Sequence, residues 1–551
     1  MVAIAVSRTS ALSSGAEHIC IVLVLLLICV GLQHAAGAYA SEFDTDEASH
    51  YVSGLMMHDY LRYPTGSPMT YMRDFHSHYP LVGVGHWGPL YYGVEAVWML
   101  VFGTGRTSVI LLSALATSAV GGIVYAGAAP RFGRIVAALA AVVYVVSPLT
   151  QESTAELMLD VPVALLTLVS ANVYGAYLRT GRVWHAVLFG LVAVAALLIK
   201  GNAGCIALLP PFAVLIGRRF ELLWRPSFWL PAVIAALVIP WYWLTYALTA
   251  VGFRYQWGWH YFLVASHDNA VALLDAASPL LLAAGVVGWL IVVWPRRIHR
   301  DPDTVAWAAL LASVWVFQCV IPAAIQDRYM QPALAPLLLL AALAAHDAGA
   351  WLRRRLSLRA APLLIGGVVM AVLAIFIVPG AARIPHKARL GLVEAAREAW
   401  TTVNADNPAV LVVAGAGAEG AAVAELAMND PKRPSLFAIR GSRLLGGGGY
   451  NNGDYLPKYH NTAEVMAAID EYHVPLVLFR SDGSMREWEH VRQTEEAIRQ
   501  YPDRWQLIGR IEYAGQPAVL LYRVGGNSDL HADLPRLAAL SAPHALGGAG
   551  Q

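Results

Sequence analysis

Charge is scarce in this chain: only 14% of its 551 residues are Asp, Glu, Lys or Arg, and the 38 basic side chains nearly balance the 37 acidic ones. With no clustered basic patch there is no electrostatic footprint for nucleic acid, which excludes it as a partner. Cysteine is nearly absent as well. Cys20, Cys29, Cys205 and Cys319 all fall inside apolar segments without a Cys-x-x-Cys spacing, which excludes a disulfide framework and a thiolate zinc site. No internal repeat is visible. What the chain has in abundance is apolar length: 57% of its residues are hydrophobic, its mean hydropathy is +0.53, and bilayer-sized runs recur through the first 380 residues.

These runs predict a polytopic α-helical membrane protein with eleven spans, near residues 19–40, 107–128, 135–149, 160–178, 185–199, 202–217, 227–250, 273–294, 304–324, 331–349 and 362–380. Arg131/Arg134, Arg179/Arg182, Arg218/Arg219/Arg225, Arg296/Arg297/Arg300 and Arg353/Arg354/Arg355/Arg359 occupy every second connection, which the positive-inside rule makes cytoplasmic. Counting the apolar stretch Gly88 to Gly103 as a further span would invert all later loops, so it is read as re-entrant or interfacial. The N-terminus is then cytoplasmic and everything from about Arg383 lies outside. Residues 19–40, followed by Ala38-Tyr39-Ala40, also resemble a secretory signal; a retained span is favoured because the apolar core is long for a signal.

In this orientation the unusual polar residues gather on the outer side. They are Asp44, Asp46 and Glu47 with the loop histidines His50, His58, His76, His78 and His86, then Glu152, Glu156 and Asp160, then Lys200, then Arg254 to Asp268, and then Gln326-Asp327-Arg328-Tyr329. Each has a bland alternative. Asp160 at a helix N-terminus complements the helix dipole, Lys200 can snorkel, and Arg328 can pair with Asp327. Together, acids able to take a proton and cations at membrane depth able to hold a phosphate suit a lipid-phosphate substrate.

The motifs resemble the GT-C glycosyltransferases that use polyprenyl-phosphate sugars, in particular the bacterial branch of protein O-mannosyltransferases and the aminoarabinose transferase of lipid A. The matching pieces are Asp46-Glu47 followed by Tyr51, His86-Trp87-Gly88-Pro89-Leu90-Tyr91-Tyr92 at a His-Pro-Pro-Leu-like run, Ser147-Pro148 followed by Glu152 and Asp160-Val161-Pro162, then Lys200-Gly201 and Arg328-Tyr329. Two departures stand out: His-Trp-Gly-Pro replaces the His-Pro-Pro run, and Gln151-Glu152-Ser153 replaces the Ser-Arg ahead of the second-loop acid. The resemblance covers roughly residues 19–380. It implies that Asp46 is the general base for an acceptor hydroxyl or amine in a single inverting displacement. It further implies that Lys200 and Arg328, with Tyr329, bind the donor phosphate, that Glu47 and Asp160 orient base and acceptor, and that Asp44, Tyr51 and His86 line the site. Asp44-Thr45-Asp46 forms an Asp-x-Asp, which leaves a divalent metal open without requiring one; His76-Ser77-His78 is at most half a zinc site.

The expected domains are a GT-C-like membrane domain over 1–382, with a first outer loop at 41–106, an extracytoplasmic α/β domain over 383–525, and an unstructured tail over 526–551. In the α/β domain Gly415-Ala416-Gly417-Ala418-Glu419-Gly420 has the spacing of a dinucleotide fingerprint, but Arg440 rather than an acid follows the next strand, so a tight turn is the better explanation. The glycine run Gly446 to Gly449 and the following residues to Tyr455 read as a loop able to cover a site. The expected function is transfer of a sugar from a polyprenyl-phosphate donor to a periplasmic acceptor, protein, lipopolysaccharide or other glycan or lipid, at the bacterial inner membrane. The rival is a transporter or flippase of a lipid-linked substrate, which would place its ionisable groups near the bilayer midplane.

Overall fold

The computed structural model describes residues 2–43, 45–250, 255–294, 301–357, 362–447, 455–484, 487–527 and 530–541. Asp44, Arg254, Arg296, Arg297, Arg300 and Arg359, and most of the glycine-rich loop, lie outside the described residues. The chain divides into two units, one of residues 1–36, 85–91 and 110–386, the other of residues 37–84, 92–109 and 387–551.

The first unit is helical. Among the described residues, six of its helices are long and apolar enough to cross a membrane: Gly15–Ala35, Arg106–Phe132, Asp160–Thr180, Pro226–Leu244, Pro302–Val320 and Asp327–Arg355. At about 1.5 Å per residue a 21-residue helix reaches about 30 Å, the thickness of the hydrocarbon core. Two bent pairs bring this to at most eight crossings among the described residues; of the four shorter apolar helices, Val183–Leu197, Gly201–Gly217 and Leu363–Ile375 occupy the remaining expected segments, and Leu90–Phe102 falls in the stretch read as re-entrant or interfacial.

Both bends have local causes. Arg134–Val146 and Pro148–Ala155 meet at 56°, because Pro148 has no N–H to continue the ladder. The amide of Gln151 donates to the carbonyls of Val146 and Ala381 (2.8 and 2.9 Å), satisfying backbone groups that the break leaves open. Trp259–Ala277 and Pro279–Val293 meet at 110° around Ser278, whose φ of 67° places it in the left-handed region just before a proline. The span expected at 273–294 therefore starts at Pro279; its first residues close the preceding helix instead. The first helix is built into this unit, since buried Gln33 donates to the carbonyls of both Ile110 and Thr154 at 2.8 Å.

The second unit is α/β. Its sheet runs in the order Phe437–Arg440, Ala409–Val413, Leu476–Phe479, Val519–Val524, Trp505–Ile511; the first three strands are parallel and the last two antiparallel. Ala409 aligns with Phe437 and Val410 with Leu476, and every residue of Ala409–Val413 is buried. Such all-apolar strands mark a parallel sheet covered on both faces, where each enclosed Val or Leu contributes roughly 1.5–3 kcal/mol.

The expected boundaries change in two places. Most of the first outer loop, Gly37–Val84 and Tyr92–Val109, packs with the α/β domain and not with the spans. Helix Thr45–Arg62 lies on helix Ala416–Asn429. The Tyr79 hydroxyl donates to Asp430 at 2.5 Å, Arg106 pairs with Glu425, and Arg433 pairs with Asp59 at 2.8 Å. The expected unstructured tail contains helix Leu534–Ser541, held because Leu537 enters the hydrophobic core of this unit. The glycine turn at Gly415 opens helix Ala416–Asn429, and Glu419 in its first turn is buried against Arg440 (3.2 Å) and the Ser442 N–H (2.8 Å), which agrees with the tight-turn reading.

Candidate functional site

The membrane unit gathers three of the expected site residues, Lys200, Arg328 and Tyr329, around a fourth, the buried carboxylate of Asp160. Asp160 is the first residue of helix Asp160–Thr180 and is fully buried. Lys200 Nζ donates to its Oδ1 at 2.7 Å, and Arg328 Nε stands 3.9 Å from its Oδ2. Tyr329 lies beneath both cations, its ring centre 4.6 Å from Lys200 Nζ and 5.9 Å from Arg328 Cζ. Arg328 is further held by Gln326 Oε1 at 2.8 Å and by Met158 Sδ at 3.7 Å.

Asp160 is the carboxylate in contact with both cations, and Glu152 interacts electrostatically with Arg328 and Asp327, so acids as well as cations meet at this corner. The Lys200 side chain keeps 11% of its surface and Arg328 keeps 24%, so both are reachable by an anion. Lys200 owes its place to an interruption in the backbone. Helix Val183–Leu197 ends, Lys200 is extended (φ −153°, ψ 142°), and a 3-10 helix begins at Gly201.

The His86-to-Leu90 run fixes that interruption. The N–H groups of Gly88 and Leu90 donate to the carbonyls of Ile199 and Leu198 (3.2 and 3.0 Å), the two residues immediately before Lys200. His86 Nδ1 lies 2.9 Å from the Leu248 carbonyl oxygen, and its ring packs edge-on against Trp87. The motif thus reaches Lys200 through backbone pairing, a role its side chains do not announce.

The acidic motif belongs to the second unit. Asp46 and Glu47 occupy the first turn of helix Thr45–Arg62, where negative charge complements the helix dipole. Asp46 is half-buried. Glu47 is fully buried and paired with Lys387. Tyr51 is in the core, its hydroxyl donating to the Thr104 carbonyl at 2.9 Å. Asp44 lies outside the described residues.

Two residues absent from the sequence expectations organise this segment. Lys387 supplies the counter-ion of Glu47, and Glu42 accepts the N–H groups of Leu390 and Leu392, both at 2.8 Å, at the start of helix Leu392–Thr402. No local pattern marks either contact, which joins positions about 340 residues apart; the only hint for Glu42 was its place beside the other acids. His76 and His78 part company. The His78 ring stacks on Phe437 at 3.9 Å, while burial, aided by the charges of Arg443 and Arg440, holds His76 down to about 4. Among the described residues no three His, Cys, Asp or Glu side chains converge as a metal site.

Residues 87–246 match the family of dolichyl-phosphate-mannose-protein mannosyltransferases. Sequence comparison with curated proteins gives no match. Among solved structures, the chain is similar to ArnT from Cupriavidus metallidurans bound to undecaprenyl phosphate, at 14% identity and TM-score 0.54, with 93% of this chain and 99% of that chain covered. The apo state of the same protein gives 12% identity and TM-score 0.56, covering 95% and 100%. The chain has the GT-C fold. The GT-C likeness extends to the Archaeoglobus fulgidus oligosaccharyltransferase tethered to an acceptor peptide, at 11% identity and TM-score 0.53, covering 91% of this chain and 80% of that one.

Proposed function

We propose that this protein is a membrane glycosyltransferase that moves a sugar from a polyprenyl-phosphate donor to a periplasmic acceptor at the bacterial inner membrane. The observation that carries the reading is the Lys200–Asp160–Arg328 cluster, two partly exposed cations sharing one buried carboxylate. An ArnT of the same fold binds undecaprenyl phosphate, and the exposed edges of Lys200 and Arg328 suit a phosphate of that kind.

In the proposed reaction the Asp46 carboxylate takes the proton of the acceptor hydroxyl or amine. The acceptor atom bonds to the anomeric carbon from the face opposite the phosphate, the sugar–phosphate C–O bond breaks, and its electron pair leaves with polyprenyl phosphate. A phosphodiester carrying one negative charge becomes a monoester carrying close to two. Lys200 and Arg328 favour the product side of that change because they bind charge that develops as the bond breaks. Asp160 positions Lys200, and Glu47, neutralised by Lys387, holds the start of the Asp46 helix.

Full-length protein in lipid, given short-chain polyprenyl-phosphate mannose or aminoarabinose and native membranes as acceptor, tests this by release of polyprenyl phosphate. Loss of a general base lowers turnover by about 10²–10⁴-fold, so Asp46→Asn is expected to abolish release while donor still binds. Undiminished release from Asp46→Asn would assign the base elsewhere.

A further inference from the structure

The second unit contains a cavity of about 400 Å³ lined by His58, Arg62 and Arg433, by Met99 and Leu100, and by the Gly103–Thr104 turn. Its charged groups come from two elements. Arg433 is locked to Asp59 by contacts of 2.8 and 3.3 Å, and His58 Nδ1 lies 2.8 Å from the same carboxylate. Arg62 is exposed and, among the described residues, makes no ion pair, although it lies over the Tyr63 ring at 5.4 Å. One carboxylate against two guanidinium groups leaves this cavity cationic.

The apolar lining continues along helix Leu90–Phe102. Tyr92, Glu95, Ala96 and Met99 are buried, whereas Val94, Val97, Leu100 and Val101 form an exposed stripe at helical spacing, Val101 being 69% exposed. A stripe of β-branched and aliphatic side chains ending at a cationic cavity has the polarity of an amphiphile: chain along the helix, anion in the pocket. Water alone suits the arginines but not the stripe, and a soluble protein groove would not leave that stripe bare.

We propose that this cavity is a binding site for the phosphate head group of an anionic lipid, whose acyl or prenyl chain runs along the Val94–Val97–Val101 stripe. It shares no residue with the Lys200–Arg328 cluster and does not depend on the transfer reaction. Arg62 holds the phosphate by charge-assisted hydrogen bonds, the Thr104 hydroxyl supplies a neutral donor, and Arg433, whose guanidinium already donates to Asp59 and to the Ala427 and Asp430 carbonyls, contributes mainly its fixed charge.

The test is titration of the full-length protein in detergent with dioctanoyl phosphatidic acid, dioctanoyl phosphatidylcholine and inorganic phosphate, read by native mass spectrometry. It is run in the wild-type protein and in Lys200→Met, so that the other cationic cluster is not what is measured. Phosphatidic acid is expected to bind better than either comparison ligand, and Arg62→Glu to weaken it about ten-fold, the scale of one lost charge-assisted contact plus a repulsion. Val97→Asn/Val101→Asn is expected to remove the advantage of the lipid over inorganic phosphate. Arg510→Glu, an exposed arginine paired with Glu512 on the sheet edge, is expected to leave binding unchanged. Equal binding of phosphatidic acid to Arg62→Glu and wild type, with melting behaviour preserved, would overturn the site. Equal affinity for inorganic phosphate and lipid would overturn the lipid assignment.

Discussion

A methyl group added at Gly88 would stand 2.0 Å from the carbonyl oxygen of Leu198. The obstructing atom is backbone, two residues before Lys200, and no side-chain rotation relieves it. Gly88→Ala should therefore push the Leu198–Lys200 segment away from the His86 run. Overpacking of this kind costs about 1–3 kcal/mol, and the expected outcome is a lower melting temperature together with weakened binding of polyprenyl phosphate. Gly93→Ala, with open space around its added methyl, is the control expected to change neither.

The Lys200–Asp160 pair should behave as a unit. Removing one partner strands a buried charge, at a cost of about 3–5 kcal/mol. Lys200→Met leaves Asp160 with only the more distant Arg328, and Asp160→Asn leaves two cations without their carboxylate. The double variant is expected to be more stable than the sum of the single losses implies, as a thermal-unfolding double-mutant cycle would show. Donor turnover should be lost in all three, because stability can be recovered without the charge that holds phosphate.

Glu42 caps a helix that begins 350 positions later in the chain. Its two oxygens accept the N–H groups of Leu390 and Leu392, and Gly391 between them takes a φ of 89°. Glu42→Ala is expected to destabilise the second unit by about 1–2 kcal/mol, seen as earlier hydrogen exchange across Leu392–Thr402. Glu42→Gln, which keeps one acceptor oxygen, should lose less.

His76 is expected to make the second unit acid-sensitive. Its folded value, about 4, lies below the ordinary 6.5. Between these values the unfolded chain binds a proton that the folded one refuses, so stability falls as pH drops from about 6.5 to 4 and the loss levels off below that. Because His76 is partly accessible, the slope should total about 1–3 kcal/mol. Replacing it by Gln is expected to flatten the dependence of melting temperature on pH over that interval.

The long apolar helices were legible because a bilayer crossing needs about 20 apolar residues in one stretch, and such stretches can be counted without knowing what they touch; the shorter ones, such as Val183–Leu197, were legible only by their composition. Lys200 and Arg328 were legible for the same reason: a cation at the end of an apolar run is conspicuous. The span expected at 273–294 starts later, at Pro279, because apolar residues continue through Ser278 and only its left-handed φ ahead of the proline ends the preceding helix. The helix Leu534–Ser541 was missed because its composition is that of a tail; what holds it is Leu537 in a core formed by distant strands.

The sequence by itself determined the membrane class, the α/β pattern after Arg383, and the identity of the charged residues. Their partners were decided by tertiary structure alone. Asp160 meets Lys200 and Arg328, Glu47 meets Lys387, and Glu42 meets the Leu392 helix across separations of 40 to about 350 residues. The outer loop joins the α/β unit for the same reason. Hydropathy and helix propensity act over a few turns of chain, whereas a buried charge must find its counter-ion wherever the fold brings one within about 3 Å.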